Sequence, residues 1–281
     1  FAEEGLPSDL DEVVRAGAGA LRAEIAAAVD AVRASAPLVH GATGSVTRAI
    51  VADGLLAAGA RPMLTETVDE APTLVTVADA FLANLGSLSS DGRAGLFPTA
   101  EVAAERGTPW VLDPTAIGLA PVRTPLAHEL LALGPSIVRG NASEVLVLAG
   151  GGQPGRGADS TVAPDAAAEA AHSLAAAHGC VVAVSGAVDL VTDGRQSVRI
   201  ASGAPVLTRV TGTGCLLGAL SAAHAAVAAP FVAAVAATAL LTVASDRVGP
   251  MGPGSFKVTL VDALDAVTGD EVAAEVDLSW T

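Results

Sequence analysis

Six short apolar runs, separated by stretches with helical spacing, constrain this chain more than any other feature. They are "PLVH" (37–40), "RPML" (61–64), "AFLANLG" (80–86), "PWVLDP" (109–114), "SIVRG" (136–140) and "CVVAVSG" (180–186). Each reads as a strand buried on both faces. Helical stretches lie near 46–59, 92–106, 124–133, 142–149 and 165–178. Strand, helix, strand repeated this way predicts an α/β fold, a mostly parallel sheet with helices on both faces. "DLVTDGRQSVRI" (189–200) differs, because Asp193-Gly194 signals a small hairpin.

The ends of the chain fit the same frame. Residues 8–35 read as one N-terminal helix, with Ser8 as its cap and Asp11 and Glu12 in its first turn. Arg15, Arg22, Glu24, Asp30 and Arg33 fall on what reads as a solvated face. A last helix starts near Ser255. No linker, charge block or repeat divides residues 1–281, so one domain is expected. "AGGGQPGRGADS" (149–160) reads as a mobile loop, a candidate lid.

Composition narrows the function. Apolar residues are 51% of the chain but aromatics only 2%, so the core is built of small aliphatic side chains. Val210–Ser245 carries no Asp, Glu, Lys or Arg. Alanine is a poor driver of insertion, and Gly218, Ser221, His224 and Pro230 interrupt the run. Two buried helices joined near Ala229-Pro230 are expected rather than a membrane span. The net charge of -15 argues against a nucleic-acid partner. Two cysteines make neither a disulfide framework nor a zinc site and fit a reducing cytoplasm. Phe1 opens the chain with no basic n-region and apolar h-region behind it, so no signal peptide is expected.

Ligands of open parallel sheets bind beyond the carboxyl ends of the strands. Polar residues gather there: Asp113-Pro114, Arg139 to Glu144, Ser185-Gly186, and Thr211 to Cys215 after an expected strand at 206–210. "VTGTGC" has two readings. Its backbone amides and helix dipole can form an anion hole at Gly212, Thr213 and Gly214. Equally, Thr213 can simply cap a helix with Cys215 packed inside. Asn141 and Glu144 are spaced as a capping box, or Glu144 can join Asp113 on a Mg²⁺ that bridges phosphates. Arg139 is a fork-shaped cation suited to phosphate. There is no P-loop, no G-x-G-x-x-G after the first strand and no G-x-S-x-G elbow, and Lys257 is the single lysine.

"PLVH", "GLLAAGARP", "PWVLDP", "VRGNASE", "VDLVTDG", "VTGTGC" and "GPGSF" together resemble the hydroxyethylthiazole kinase family of ribokinase-like kinases, from about Pro37 to Leu264. The resemblance implies ATP-dependent phosphorylation of the primary alcohol of 4-methyl-5-(2-hydroxyethyl)thiazole, a thiamine salvage step. It implies a homotrimer with sites between subunits, ATP on Arg139 and Ser185, and Mg²⁺ on Asp113 and Glu144. It places substrate against Gly212, and Cys215 at the reacting hydroxyl as a weak base whose pKa the helix start should lower. Gly254 and Ser255 match without an assigned role. Most ribokinase-like kinases have Asp where Cys215 stands. The family typically reads Cys-Met-Thr-Asn where this chain has Gly41-Ala42-Thr43-Gly44, and Met where it has Leu64. Gly44 and Leu64 thus mark an altered substrate side, and the glycines suggest extra room. A pyrimidine or pyridoxine-like alcohol is the alternative substrate. A ligand-binding regulator without catalysis is a further reading.

Overall fold

The structure is a computed structural model, described at residues 8–151 and 164–281, with side chains from residue 17 in the first segment and from residue 167 in the second. The candidate lid at 149–160 lies outside the described residues beyond Gly151, as do the side chains of Ser8, Asp11, Glu12 and Arg15. Among the described residues the strands are β1 (Leu38–Ala42), β2 (Arg61–Met63), β3 (Ala80–Asn84), β4 (Trp110–Asp113), β5 (Ile137–Asn141), β6 (Val181–Ser185), β7 (Asp189–Thr192), β8 (Ser197–Ile200) and β9 (Leu278–Trp280). They form one sheet in the order β2-β1-β3-β4-β5-β6-β7-β8-β9. The first six are parallel and the last three pairings are antiparallel. All six apolar runs are therefore strands, and the expected hairpin extends the main sheet.

The helices are α1 (Ser8–Ser35), α2 (Arg48–Ala57), α3 (Ala71–Leu74), α4 (Ser90–Arg106), α5 (Arg123–Leu131), α6 (Ala142–Leu148), α7 (Pro164–His178), α8 (Thr213–Ala225), α9 (Pro230–Val248), α10 (Pro253–Ala266) and α11 (Gly269–Glu275). Strand periodicity divides the core into two layers. Ala80, Leu82, Val111, Ile137, Val181 and Ala183 pack with α1, α2 and α8–α11. Phe81, Ala83, Leu112, Val138, Val182 and Val184 pack with α4–α7. Side chains alternate across a strand, so the parity that sends Leu82, Val111, Ile137 and Ala183 to the α8 side also sends Asn84, Asp113, Arg139 and Ser185 there.

Four expectations change. Residues 205–209 are a 3₁₀ turn rather than a strand, with Pro205 at its start. The Thr213 hydroxyl donates to Leu207 O (3.0 Å) and Val210 O (3.3 Å), which ties that turn to α8. The single C-terminal helix is two helices, and β9 follows them. β9 pairs Trp280 with Val198 and stacks it on Phe231 of α9, ring centroids 6.2 Å apart. A three-residue edge strand is too short to show a period of two.

The fourth change concerns α1, whose polar residues are not all a solvated face. Arg33 donates to Leu264 O, Asp265 O and Val267 O, each at 2.8 Å. Arg22 donates to Ala273 O and Val276 O. Asp30 accepts from Gly269 N (3.2 Å). The last carbonyls of a helix lack partners within it and carry partial negative charge. The two arginines supply donors and positive charge to the ends of α10 and α11. The charge-free region becomes α8 and α9. Helix α9 is long and apolar enough to cross a membrane, but 83% of its apolar window is buried inside the protein. Arg33→Ala leaves three carbonyl ends without a cationic donor and should lower stability by about 1–2 kcal/mol, read as a shift of the urea midpoint at unchanged slope.

Candidate active site

Six parallel strands end on one edge, and six residues line up there in sheet order. Leu64 follows β2, Gly44 follows β1, Asn84 ends β3, Asp113 ends β4, Arg139 lies in β5 and Ser185 ends β6. The first turn of α8 stands over this row, since α8 packs across β1, β3 and β4. Gly212 is its N-cap, at φ 94°. That is the left-handed region that favours glycine. Thr213 is thus the first helical residue rather than the cap. The first main-chain bond runs from Leu216 N to Gly212 O (2.8 Å). The amides of Thr213, Gly214 and Cys215 precede it, and such amides have no partner within their helix.

Arg139 connects this helix to the strand row. Its Nη2 donates to Ser185 Oγ (2.9 Å) and its Nη1 lies 3.6 Å from Asp113 Oδ2. A Cβ on Gly214 would lie 2.8 Å from Nη1, and one on Gly218 would lie 3.1 Å from Asp113 Oδ2. The two glycines, one helical turn apart, are where the guanidinium and the carboxylate sit against α8. Asp113 is fully buried and accepts from Thr115 Oγ1 (2.6 Å). Its Oδ2 is buried without a hydrogen-bond partner.

Glu144 realises the capping box. Its Oε2 accepts from Asn141 N (2.8 Å) while Asn141 Oδ1 accepts from Glu144 N (3.0 Å). Its Oε1 accepts from Ala116 N (2.7 Å). Burial, then the charge of Asp113, pushes the Glu144 carboxyl up to about 7, against the Ala116 and Asn141 amides and Arg139. Burial raises Asp113 as well, with Arg139 opposing. Two buried acids repel, and Asp113 Oδ2 has the Arg139 charge beside it but no hydrogen bond. A divalent cation beside Asp113 answers both conditions. Among the described residues no cluster of three or more His, Cys, Asp or Glu is built for a metal. One or two carboxylates, completed by water and phosphate oxygens, is the pattern magnesium takes.

Cys215 is 8% exposed at the start of α8. Burial first, then the Asp113 charge, raises its thiol pKa. Arg139 and hydrogen bonds with the Thr47 and Asn84 side chains oppose this. The expected lowering is overturned, because burial of the thiolate and the Asp113 charge push the thiol up. The extra room expected at Gly41 and Gly44 is also not there. A Cβ on Gly41 would meet Leu64 Cδ2 at 2.8 Å, and one on Gly44 would meet Gly86 O at 2.4 Å and Ser87 Cβ at 2.7 Å. Leu64 and the 86–87 turn occupy that space.

Two residues escaped the sequence reading. Asn84 accepts from Gly86 N (2.9 Å) and donates to Thr115 Oγ1 (3.4 Å) between Asp113 and Cys215. The end of "AFLANLG" placed it in view. Asp189, inside "VDLVTDG", accepts from Gly186 N (2.8 Å). Burial lifts it to about 6, with the Gly186 amide and Arg139 opposing. A cleft of about 580 Å³ lined in part by His172, Leu190 and Arg199 includes none of these residues.

A mostly parallel sheet with an antiparallel extension, and a helix start set over a row of buried acids and one arginine, define a small-molecule kinase of the ribokinase-like fold. The comparisons agree. The model of the hydroxyethylthiazole kinase family matches residues 29–270, and the chain belongs to that family. It is 50% identical over 246 residues to a hydroxyethylthiazole kinase of Clavibacter sepedonicus, covering 86% of this chain and 90% of that one. It is 48% identical over 258 residues to that of Kineococcus radiotolerans, covering 91% and 94%. The solved hydroxyethylthiazole kinase from Pyrococcus horikoshii superposes with TM-score 0.84 at 33% identity, covering 92% and 98%. A Staphylococcus aureus pyridoxal kinase in complex with AMP-PCP shares the fold, with TM-score 0.59 at 18% identity, covering 87% and 98%.

The raised carboxyl of Glu144 gives a pH test in the absence of divalent cation and nucleotide. The folded chain holds this proton up to about 7, against an ordinary value of 4.5. Its contribution to stability is therefore complete below about 4.5 and is lost as the pH rises to about 7. Glu144→Gln cannot ionise. Relative to wild type it should gain about 2–3 kcal/mol between pH 5 and 7.5, read from denaturation midpoints. A stability difference that stays flat with pH contradicts the shift.

Proposed function

We propose that this chain transfers the γ-phosphoryl group of ATP to the primary alcohol of 4-methyl-5-(2-hydroxyethyl)thiazole, a salvage step toward thiamine in the cytoplasm. The observation that carries this is Arg139, seated on Gly214 between Asp113 and Ser185 under the start of α8. The names of the relatives supply the substrate. We also propose a homotrimer with sites between subunits, as the family resemblance of the sequence implies.

Phosphoryl transfer passes through a loose transition state, so positioning and charge stabilisation dominate. Arg139 and Ser185 hold phosphate oxygens of ATP. The amides of Thr213, Gly214 and Cys215 receive the charge that grows on the transferred group. Asp113 and Glu144 would hold Mg²⁺, whose charge would offset that of the phosphates. Gly212, whose missing Cβ makes way for Ile50 and Thr47, stands beside the substrate side, and Leu64 and the Gly44 turn wall it. The alcohol oxygen bonds to the γ-phosphorus as ADP departs with the bridging oxygen. The hydroxyl proton passes to the Cys215 thiolate. Burial keeps that thiolate a minor form, which limits what Cys215 contributes as a base near neutral pH.

Cys215→Ala should slow turnover by ~10²-fold or less, and Cys215→Asp should retain activity. Wild-type turnover should climb with pH above neutrality as the thiol ionises, and Cys215→Asp should flatten that rise. An inactive Cys215→Asp that still binds ATP would exclude the base role. Gly214→Ala gains helix propensity yet collides with Arg139. It should keep or raise the melting temperature while KM for ATP rises about tenfold, the worth of one charge-assisted contact. Product formation assayed with the thiazole alcohol, ATP and Mg²⁺ tests the reaction itself. Pyrimidine and pyridoxine alcohols run beside it test the choice of substrate, and no product from any of them would favour the regulator.

A further inference from the structure

On the substrate side, the segment 64–67 is held at three successive residues. Leu64 fills the space over Gly41. Thr65 O lies 3.0 Å from His40 Nε2 of β1. Glu66 sits where a Cβ on Gly95 of α4 would lie 2.4 Å from its carbonyl oxygen. The Glu66 carboxylate then makes two polar ties. Its Oε1 accepts from Ser89 Oγ (2.9 Å), the residue that caps α4, and pairs with Arg48 Nη2 at 2.6 Å. Arg48 is the first residue of α2 and also donates to Thr43 O (3.3 Å). One carboxylate thus joins the loops after β1, β2 and β3. Of the ties on this segment, the Arg48–Glu66 pair is the one between opposite full charges.

We propose that the Arg48–Glu66 pair is a specificity-determining tie, which holds the Leu64 wall against the Thr43–Thr47 turn and so sets the width of the acceptor pocket. This rests on the kinase reading above and adds to it which residues gauge the alcohol. The pair adjoins Thr47, whose side chain bonds with Cys215. The Leu64 wall that it holds stands at the far end of the row from Arg139 and Ser185. Strands β1, β3 and β4 separate β2 from β5, about 19 Å at ~4.8 Å per strand. Loosening it should therefore reach the alcohol and spare the nucleotide. The wall selects a small uncharged ring alcohol by fit, and Arg48 and Glu66 act through Leu64 as positioning residues. Arg48 is 40% exposed, and solvent screens such pairs, so the effect is modest.

The test is steady-state kinetics on the full chain with the thiazole alcohol, ATP and Mg²⁺. Glu66→Gln should raise KM for the alcohol about three- to fivefold, with KM for ATP unchanged, kcat within about twofold and the melting temperature nearly constant. Arg48→Gln should match it. The double variant should raise KM no further than either single one, because the second change has no partner left to lose. An unchanged KM for the alcohol, a parallel rise in KM for ATP, or additive effects in the double variant would each overturn the proposal. Wild-type turnover with an unaffected Glu66→Gln defeats the tie alone. A wild type that phosphorylates none of the alcohols defeats the kinase reading and the tie with it.

Discussion

The site depends on one contact, that of the Arg139 guanidinium with the first turn of α8. A strand residue and a helix start meet there with no side chain between them. Gly214 gives up its Cβ to the guanidinium, and Gly218, one turn on, gives up its Cβ to Asp113. Arg139 then reaches Ser185 on one side and Asp113 on the other. Two neighbouring strands and the helix are thereby registered to one planar cation. Five fixed donors make arginine suited to this where lysine is not.

Charge explains why so polar a cluster is tolerated inside an alanine-rich core. Asp113, Glu144 and Asp189 are all pushed up by burial, and Arg139 pulls each of them down. One cation facing three acids leaves an unbalanced interior. Buried charge is costly unless it is paired. A site in this state gains most from bringing in a divalent cation together with an anion that Arg139 and the helix start can hold.

Much of this was legible in the chain. The apolar runs marked six strands, and glycine and polar residues after them marked the working edge. "RGNASE" and "TGTGC" contained Arg139, Glu144, Gly214 and Cys215. The capping box at Asn141 was visible as spacing and proved real, so its acid serves the helix start whatever else it holds. Other features were hidden because they depend on partners distant in sequence. The carbonyls that Arg33 serves are more than 230 positions away. Residues 206–210 resembled a strand, but Pro205 and the Thr213 hydroxyl turn them into a 3₁₀ segment. Gly41 and Gly44 suggested space that Leu64 and Ser87 had already taken.

The sequence by itself determined the layering. Side-chain parity along a strand and the 3.6-residue period of a helix are local properties, so they fix which residues face α8 and which face α4–α7. Only the tertiary structure decided the chemistry of the cysteine and the width of the acceptor side. A pKa depends on the dielectric and charges assembled around a group, and these come here from Asp113, Asn84, Thr47 and Arg139, which are far apart along the chain. A cavity likewise depends on what fills it rather than on the residues that leave it open.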